Sequence, residues 1–337
     1  MKITCHNKDC KFQFEYNGNE MWTDCPKCSS KVIIKETSSR DDDDNSRFRN
    51  YLRNWVRKHP KYNPYNFSKD DILGKITSKY RLLPDFLIFG GTRSGAMTLQ
   101  RYLIKHPTVY CKRNIHFFEY TITNDVNWYK SHFPTENYKN KTEKKFNQPL
   151  RIGEQTGTYM FYPEVPSRVQ KTIPNVKLIA VLRNPIDMVF SRYNHMRNQG
   201  IEVSPFDEAV NMEIKRMDII EKDEKLKIHN PFFENSMIFN YIRHGNYAEK
   251  LKDWFKHFSR EQFLIFTNTE LTNDTTKFVK KTFEFLDLEP INNIDYIKHN
   301  VGEYPNKMDN STKKKLEDYF KPFNEELNKL LERNLNW

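Results

Sequence analysis

Short apolar stretches alternate with segments of helical apolar spacing from about residue 81 to the end of the chain. The apolar stretches are as long as typical strands, and they predict strands at residues 86–90, 109–111, 150–154, 177–183 and 262–267. The patterns between them predict helices, notably at residues 96–105, 186–198, 206–219 and 247–258. Because this alternation covers both faces of a sheet, we predict an α/β fold with three α/β/α layers and a mostly parallel central sheet.

Four of the five cysteines lie within the first 28 residues, as two close pairs. Cys5 and Cys10 form the first pair, and Cys25 and Cys28 form the second. A disulfide framework would spread its cysteines through the fold, whereas two pairs beside β-prone stretches suit one tetrahedral zinc ion held by four thiolates. Residues 1–36 thus resemble a zinc ribbon, which would depend on its structural Zn²⁺ for folding. Redox-active thiols are the alternative.

A polar connector separates this segment from the α/β region. It contains four consecutive aspartates at residues 41–44, a charge run that is typical of a solvated linker. A helical pattern at residues 48–58 and a loop-like stretch at residues 60–67 follow. We therefore predict three parts: a zinc-ribbon-like module at residues 1–36, a connector at residues 37–80 and the α/β domain at residues 81–337.

Composition and charge add limits to this outline. The 337 residues are 37% hydrophobic and 14% aromatic, which is enough for a sizeable core. No stretch approaches the ~20 apolar residues that span a bilayer, and the first ten residues lack the apolar core of a signal peptide. We therefore expect a cytoplasmic protein without a transmembrane segment. The net charge of +11 suits an anionic ligand, such as a nucleotide, a sulfated glycan or a nucleic acid. Nothing in the sequence indicates an oligomeric state.

A glycine-bearing turn joins the first predicted strand to the first predicted helix. Such a turn directs backbone N–H groups and a helix N-terminus toward one point, which makes a P-loop-like anion site. The spacing from Gly90 to Gly95 is that of a Walker A loop, but Ala96 and Met97 replace the required Lys and Ser/Thr. The turn therefore disfavours an ATPase or a kinase. Arg93 lies inside the turn, within reach of a phosphate.

A second phosphate-binding pattern begins at the end of the fourth predicted strand. Arg183 ends this strand, Pro185 suits the first turn of a helix, and Ser191 follows eight residues after Arg183. A strand end and the next helical turns bring both side chains within reach of one anion. An arginine there makes a charge-assisted contact with phosphate.

The two patterns together resemble the nucleotide motifs of PAPS-dependent sulfotransferases, in which PAPS is 3′-phosphoadenosine-5′-phosphosulfate. Residues 113–119, 153–159 and 245–254 resemble further motifs of the heparan-sulfate-type branch of that family. The resemblance implies that the turn binds the 5′-phosphosulfate through residues Arg93, Ser94, Gly95, Ala96, Met97 and Thr98. It also implies that Arg183 and Ser191 bind the 3′-phosphate.

The same resemblance implies transfer of a sulfuryl group from PAPS to a hydroxyl or amine, with a glycan or glycoconjugate as acceptor and PAP as product. The candidate catalytic residues are Arg93, His116, Glu119 and Glu154. His116 is the first candidate for the general base, because its usual pKa lies near neutral pH. Glu119 and Glu154 are the alternatives, either as the base or as the group that orients His116. The sequence departs from the family at Asn114, where the family has a glutamate, and at Gln155, where it has a lysine.

Two other functions stay open at this point. A zinc ribbon with a basic surface also suits a nucleic-acid-binding or regulatory protein. Against that reading, the positive charge is not gathered in one run, and the two phosphate patterns suit a mononucleotide, so nucleic acid is the less favoured partner. A degenerate domain that binds PAP without turnover is the other alternative, because Asn114 cannot accept a proton.

Overall fold

The computed structural model describes most of the region after residue 75 and four short strands before it. The described residues are 2–4, 13–15, 22–24, 31–33, 76–119, 125–222, 240–291, 294 and 307–337. The chain divides into two units, Met1–Pro64 and Tyr65–Trp337. This division lies inside the predicted connector, so the boundaries at residues 36 and 80 stay predictions.

The first unit contains two antiparallel pairs of three-residue strands. Strands β1 and β2 pair with Ile3 opposite Phe14, and β3 and β4 pair with Thr23 opposite Val32. The four strands are β1 (Lys2–Thr4), β2 (Gln13–Glu15), β3 (Trp22–Asp24) and β4 (Lys31–Ile33). The predicted zinc ligands lie outside the described residues, and they are Cys5, Cys10, Cys25 and Cys28. The zinc ribbon therefore stays a prediction.

The second unit is built on a parallel sheet, as the strand–helix alternation predicts. Its strand order is β6-β7-β5-β8-β9, and every strand pair in it is parallel. The strands are β5 (Phe86–Gly90), β6 (Val109–Arg113), β7 (Arg151–Gln155), β8 (Lys177–Leu182) and β9 (Phe263–Thr267). The chain winds from β5 toward one edge and returns to the other side at β8. In open α/β sheets, ligands bind at the carboxyl ends of the strands beside such a reversal.

Helices cover both faces of the sheet. They are α1 (Ala96–Leu103), α2 (Val126–Ser131), α3 (Glu136–Phe146), α4 (Val165–Thr172), α5 (Pro185–Asn198), α6 (Phe206–Lys222), α7 (Tyr247–Phe255), α8 (Asn268–Asn273), α9 (Thr275–Phe285) and α10 (Asn310–Leu331). Among the helices of the described ranges, none is both long and apolar enough to cross a bilayer.

Alternate residues of the central strands enter two separate cores. Leu87 and Phe89 of β5 pack in one core with Trp254 of α7, where the rings of Phe89 and Trp254 stack with centroids 4.3 Å apart. Phe86 and Ile88 enter the opposite core, together with buried residues of α1 and α9. Because side chains alternate across a strand, apolar residues at every position of β5 require cover on both faces. The three-layer α/β/α prediction is confirmed for this unit.

Candidate functional site

A cavity of about 700 Å³ opens at the carboxyl edge of the parallel sheet. Residues at or after the carboxyl ends of all five strands contribute to its wall. Residues 91–98 follow β5, Asn114 and His116 follow β6, and Thr158 follows β7. Arg183 comes after β8, and Asn268 begins the helix after β9. The parallel topology thus brings segments that are distant in sequence to one site.

The turn between β5 and α1 has an unusual backbone. Gly90 has a φ of 145°, and a Cβ atom there would lie 2.1 Å from the carbonyl oxygen of Val181 in β8. Gly95 has a φ of 100° and precedes the first residue of α1. Arg93 has a φ of 61°, a left-handed conformation that is uncommon for a residue with a side chain. Two glycines and one strained arginine therefore shape the turn.

The first turn of α1 supplies free backbone donors to the cavity. The N–H groups of Ala96, Met97 and Thr98 precede the first intrahelical bond, which Leu99 N donates to Gly95 O over 2.9 Å. All three residues line the cavity. Ser94 also lines it, but its N–H donates to Gly91 O over 3.1 Å within the turn. The helix N-terminus can therefore hold an anion through residues 96–98, and Ser94 offers its hydroxyl.

Two side chains that directly follow strands β8 and β9 hold the turn in place. Arg183 Nη1 donates to the carbonyl of Arg93 over 3.0 Å, and Asn268 Nδ2 donates to the carbonyl of Ser94 over 2.8 Å. Arg93 Nε in turn donates to Ser191 Oγ over 3.4 Å. The predicted residues Arg93, Arg183 and Ser191 are thus brought together. Ser191 itself is fully buried and is not among the residues that line the cavity.

A histidine–carboxylate pair lies on another wall of the cavity. His116 Nδ1 lies 2.7 Å from Glu119 Oε2, and Thr158 donates its hydroxyl hydrogen to Glu119 Oε1. Because an ionised carboxylate only accepts, the proton of the neutral ring lies on Nδ1, and Nε2 keeps its lone pair. The His116 side chain is 26% exposed and lines the cavity, while that of Glu119 is 1% exposed. This is the arrangement of an oriented general base.

Glu154, the remaining catalytic candidate, lies inside the protein and not on the cavity wall. Its carboxylate accepts hydrogen bonds from the hydroxyls of Tyr129, Thr156 and Tyr159. Burial raises the pKa of Glu154, and the hydrogen bonds from the three hydroxyls oppose that rise. Because three donors occupy its oxygens, Glu154 holds the end of β7 in place.

The electrostatics of the cavity favour an anion. Within the described ranges its wall contains Arg93, Arg183 and Arg192 but no aspartate or glutamate. His195 is also on the wall, and burial, followed by Arg93 and Arg192, lowers its pKa. In the described part of the chain, no cluster of three or more histidine, cysteine, aspartate or glutamate side chains is arranged to hold a metal ion.

The sequence pattern did not single out several residues of this site. Arg192 directly follows Ser191, and His195 lies one helical turn further along α5. Nothing in the sequence distinguishes either residue from those on a solvent-exposed helix face. Thr158 carries no local signal, because its partner Glu119 lies 39 residues earlier in the chain. Asn268 could have been identified from the sequence, since an asparagine directly after a parallel strand lies at the edge of the sheet where ligands bind.

Comparison with known proteins identifies the relatives of this chain. The sulfotransferase domain family matches residues 83–301. The chain is 25% identical over 329 residues to the membrane-associated sulfotransferase kil1 of Dictyostelium discoideum, covering 78% of this chain and 68% of that protein. It is 26% identical over 294 residues to heparan sulfate glucosamine 3-O-sulfotransferase 5 of Homo sapiens, covering 81% and 78%.

A solved structure supports the fold independently. The crystal structure of a sulfotransferase from Alicyclobacillus acidocaldarius matches with a TM-score of 0.56 at 24% sequence identity. The match covers 75% of this chain and 98% of that one.

Proposed function

This chain belongs to the sulfotransferase domain family and is a PAPS-dependent sulfotransferase, and we propose that it transfers the sulfuryl group to a hydroxyl or amine of a carbohydrate. The observation that carries the proposal is one shared cavity, bordered by the N-terminus of α1 with Arg93 and by the His116–Glu119 pair. An anion site and an oriented base therefore share one space.

The nucleotide site of the proposal uses the basic side of the cavity. The free amides of residues 96–98 and the guanidinium of Arg93 would receive the 5′-phosphosulfate, and Arg183 would receive the 3′-phosphate. Two observations support this assignment: the wall has three arginines and no carboxylate within the described ranges, and Arg183 already contacts the turn. Ser191 would act through Arg93, which it contacts, or reach the 3′-phosphate after a side-chain movement.

The proposed transfer is an in-line displacement at sulfur. The acceptor oxygen or nitrogen forms a bond to sulfur while the bond from sulfur to the 5′-phosphate oxygen breaks, and PAP leaves. His116 Nε2 takes the acceptor proton, and Glu119 stabilises the imidazolium that results. Arg93 stabilises the negative charge that develops on the departing phosphate oxygen. Asn114, on the cavity wall, offers hydrogen bonds and no proton acceptor, so the base function falls to His116.

The carbohydrate acceptor is the finer part of the proposal. It is supported by the similarity to heparan sulfate 3-O-sulfotransferase 5 and by the motifs that residues 113–119 and 245–254 share with that branch. The test is release of PAP from PAPS in the presence of an N-sulfated oligosaccharide of glucuronate and glucosamine. We expect turnover by the wild type, a large loss in His116→Ala, and no loss in His257→Ala, whose histidine lies outside the cavity wall.

Two results of that assay would point away from the proposal. Binding of PAP without turnover on any oligosaccharide would indicate a degenerate domain. Equal turnover by His116→Ala and the wild type would show that the base lies elsewhere.

For the first unit we propose one structural Zn²⁺ bound by Cys5, Cys10, Cys25 and Cys28. Supporting this, Cys5 and Cys10 lie in sequence between the paired strands β1 and β2, and Cys25 and Cys28 lie between β3 and β4. Four thiolates supplied by two hairpins suit a closed tetrahedral site. Metal analysis of freshly reduced protein should find about one zinc per chain, and Cys25→Ser with Cys28→Ser should abolish it.

A further inference from the structure

The guanidinium of Arg192 is buried beside the cavity with little to neutralise it. Arg192 is 7% exposed, belongs to α5 and lines the cavity. Its Nη1 donates to Thr92 Oγ1 over 3.3 Å, and its Nε has no hydrogen-bond partner among the described residues. No carboxylate of the described residues forms a salt bridge with it. A buried charge is normally paired, so an unpaired one beside a cavity indicates a missing counter-ion.

Glu213, whose charge acts on Arg192, is already engaged with other groups. Glu213 is buried, and its two oxygens accept from the backbone N–H groups of Tyr241, Ile242 and Arg243. The hydroxyl of Tyr241 donates to Glu202. Burial lowers the pKa of Arg192 to about 10, and the nearby Tyr241 and Glu213 only partly oppose that effect. The described part of the chain therefore forms a cationic site and supplies no anion to pair with it.

Neighbouring residues connect Arg192 with the acceptor side of the cavity, which is the side where the His116–Glu119 pair lies. His195 and Met196, three and four residues further along α5, line the same cavity, so this helix face forms one wall. Thr92 lies 3.4 Å from His244 Nδ1, and the His244 ring stacks on Phe161 with centroids 3.9 Å apart. Phe161 ends the short helix Gly157–Phe161, which also carries Thr158, the partner of Glu119.

We propose that Arg192, with His195 beside it, binds an anionic group of the acceptor, a carboxylate or a sulfate close to the group that receives the sulfuryl. This inference rests on the proposed function and narrows its acceptor to acidic carbohydrates. The amides of α1, Arg93 and Arg183 serve the nucleotide, while Arg192 serves the second substrate.

The test compares two probes on the protein saturated with PAP. The first is a hexasaccharide of alternating glucuronate and N-acetylglucosamine, and the second is the neutral N-acetylchitohexaose. Calorimetry should show that the wild type binds the acidic probe more tightly. Arg192→Gln should weaken that binding about 10- to 100-fold, the range for a hydrogen bond to a charged group, and leave the affinity for PAP within about threefold. Arg197→Gln on the same helix is the matched control, because Arg197 is exposed.

Two other outcomes would overturn the proposed role of Arg192, and a third would contradict the proposed function. Equal binding of the acidic and neutral probes by the wild type would overturn the anionic acceptor site. Loss of PAP affinity in Arg192→Gln, with oligosaccharide binding intact, would overturn it by assigning the guanidinium to the nucleotide. Failure of the wild type to bind PAP would instead contradict the proposed function itself.

A stability measurement checks the same idea without any ligand. If Arg192 is an unpaired buried cation, Arg192→Met keeps the volume and removes the charge, so the ligand-free protein should melt about 2–4 °C higher. A fall in Tm of that size would mean that Arg192 is already neutralised within the protein, and it would overturn the inference.

Discussion

The carboxylate of Glu119 accepts from two donors at once, His116 Nδ1 and the hydroxyl of Thr158. In Glu119→Gln, the amide presents one acceptor and one donor to these two partners. If its NH₂ group faces His116, the ring must carry its proton on Nε2, and the lone pair that accepts the substrate proton is lost. The substitution thus keeps the shape of the side chain and, in either orientation, removes the negative charge that stabilises the imidazolium; with the NH₂ group facing His116 it also selects the wrong tautomer.

The expected magnitude follows from the role of the base. A positioned general base contributes about 10²- to 10⁴-fold to the rate, which corresponds to about 2.7 to 5.4 kcal/mol of barrier. We expect Glu119→Gln to lower kcat by a factor in that range. Binding of PAP should be unchanged, because Glu119 hydrogen-bonds to His116 and Thr158 and not to the turn that holds the phosphates.

The assay measures kcat for sulfuryl transfer to the oligosaccharide acceptor, together with PAP binding and Tm for the same preparations. Glu317→Gln serves as the control, since Glu317 is exposed and its closest ionic partner is Lys313 at 3.8 Å on the same helix. A kcat of Glu119→Gln within threefold of the wild type, in a folded protein, would refute the reasoning about the histidine tautomer.

Three further predictions concern the turn, the pH response and the sheet. Arg93→Ala should raise the barrier to transfer by about 2.7–4 kcal/mol, as loss of one transition-state donor does, which a comparison of kcat/KM with the wild type will measure. Burial, followed by three nearby cationic side chains, holds the pKa of His244 well below its usual value of 6.5, so the folded ring stays neutral while the unfolded ring gains a proton. The stability that His244 contributes is therefore present above pH 6.5 and lost as the pH falls below it. When urea unfolding is measured at several pH values, the free energy of unfolding of His244→Gln should change less steeply with pH than that of the wild type, by up to about 1.4 kcal/mol per pH unit. Gly153→Ala would bring a Cβ atom to 2.2 Å from the ring of the fully buried Phe86, so it should destabilise the fold by about 1–3 kcal/mol, and an unchanged Tm would contradict that packing.

The parallel strands could be predicted because the apolar pattern that indicates each strand lies within its own consecutive residues. A strand that is covered on both faces is apolar at consecutive positions, and β5 and β8 have such runs in the sequence. By contrast, α3 (Glu136–Phe146) has no apolar stripe and buries only Thr142, so no periodic pattern indicated it. Its place in the fold depends on caps and neighbours that a pattern of hydrophobic positions does not record.

For the same reason, some residues of the candidate site could be predicted from the sequence and others could not. The β5–α1 turn and Arg183 could be predicted, since a glycine turn and a strand-end arginine carry their function in adjacent residues. The side chain of Glu154 could not be oriented, because its burial depends on Tyr129, which belongs to the unpredicted helix α2. Nor could the sequence reveal that Arg192 is buried and forms no salt bridge with a carboxylate of the described residues, because that depends on which groups of other elements approach it.

The nucleotide site is the central claim, and calorimetric titration with PAP tests it most directly, beside AMP and ATP with and without magnesium. The wild type should bind PAP without magnesium and more tightly than either other nucleotide. Arg183→Ala should weaken PAP binding about 10- to 100-fold, as expected for loss of a charged hydrogen bond to phosphate, and Tm should confirm that the variant is folded. Equal affinity for PAP and AMP, or unchanged PAP binding by Arg183→Ala, would contradict the assignment of the 3′-phosphate to Arg183.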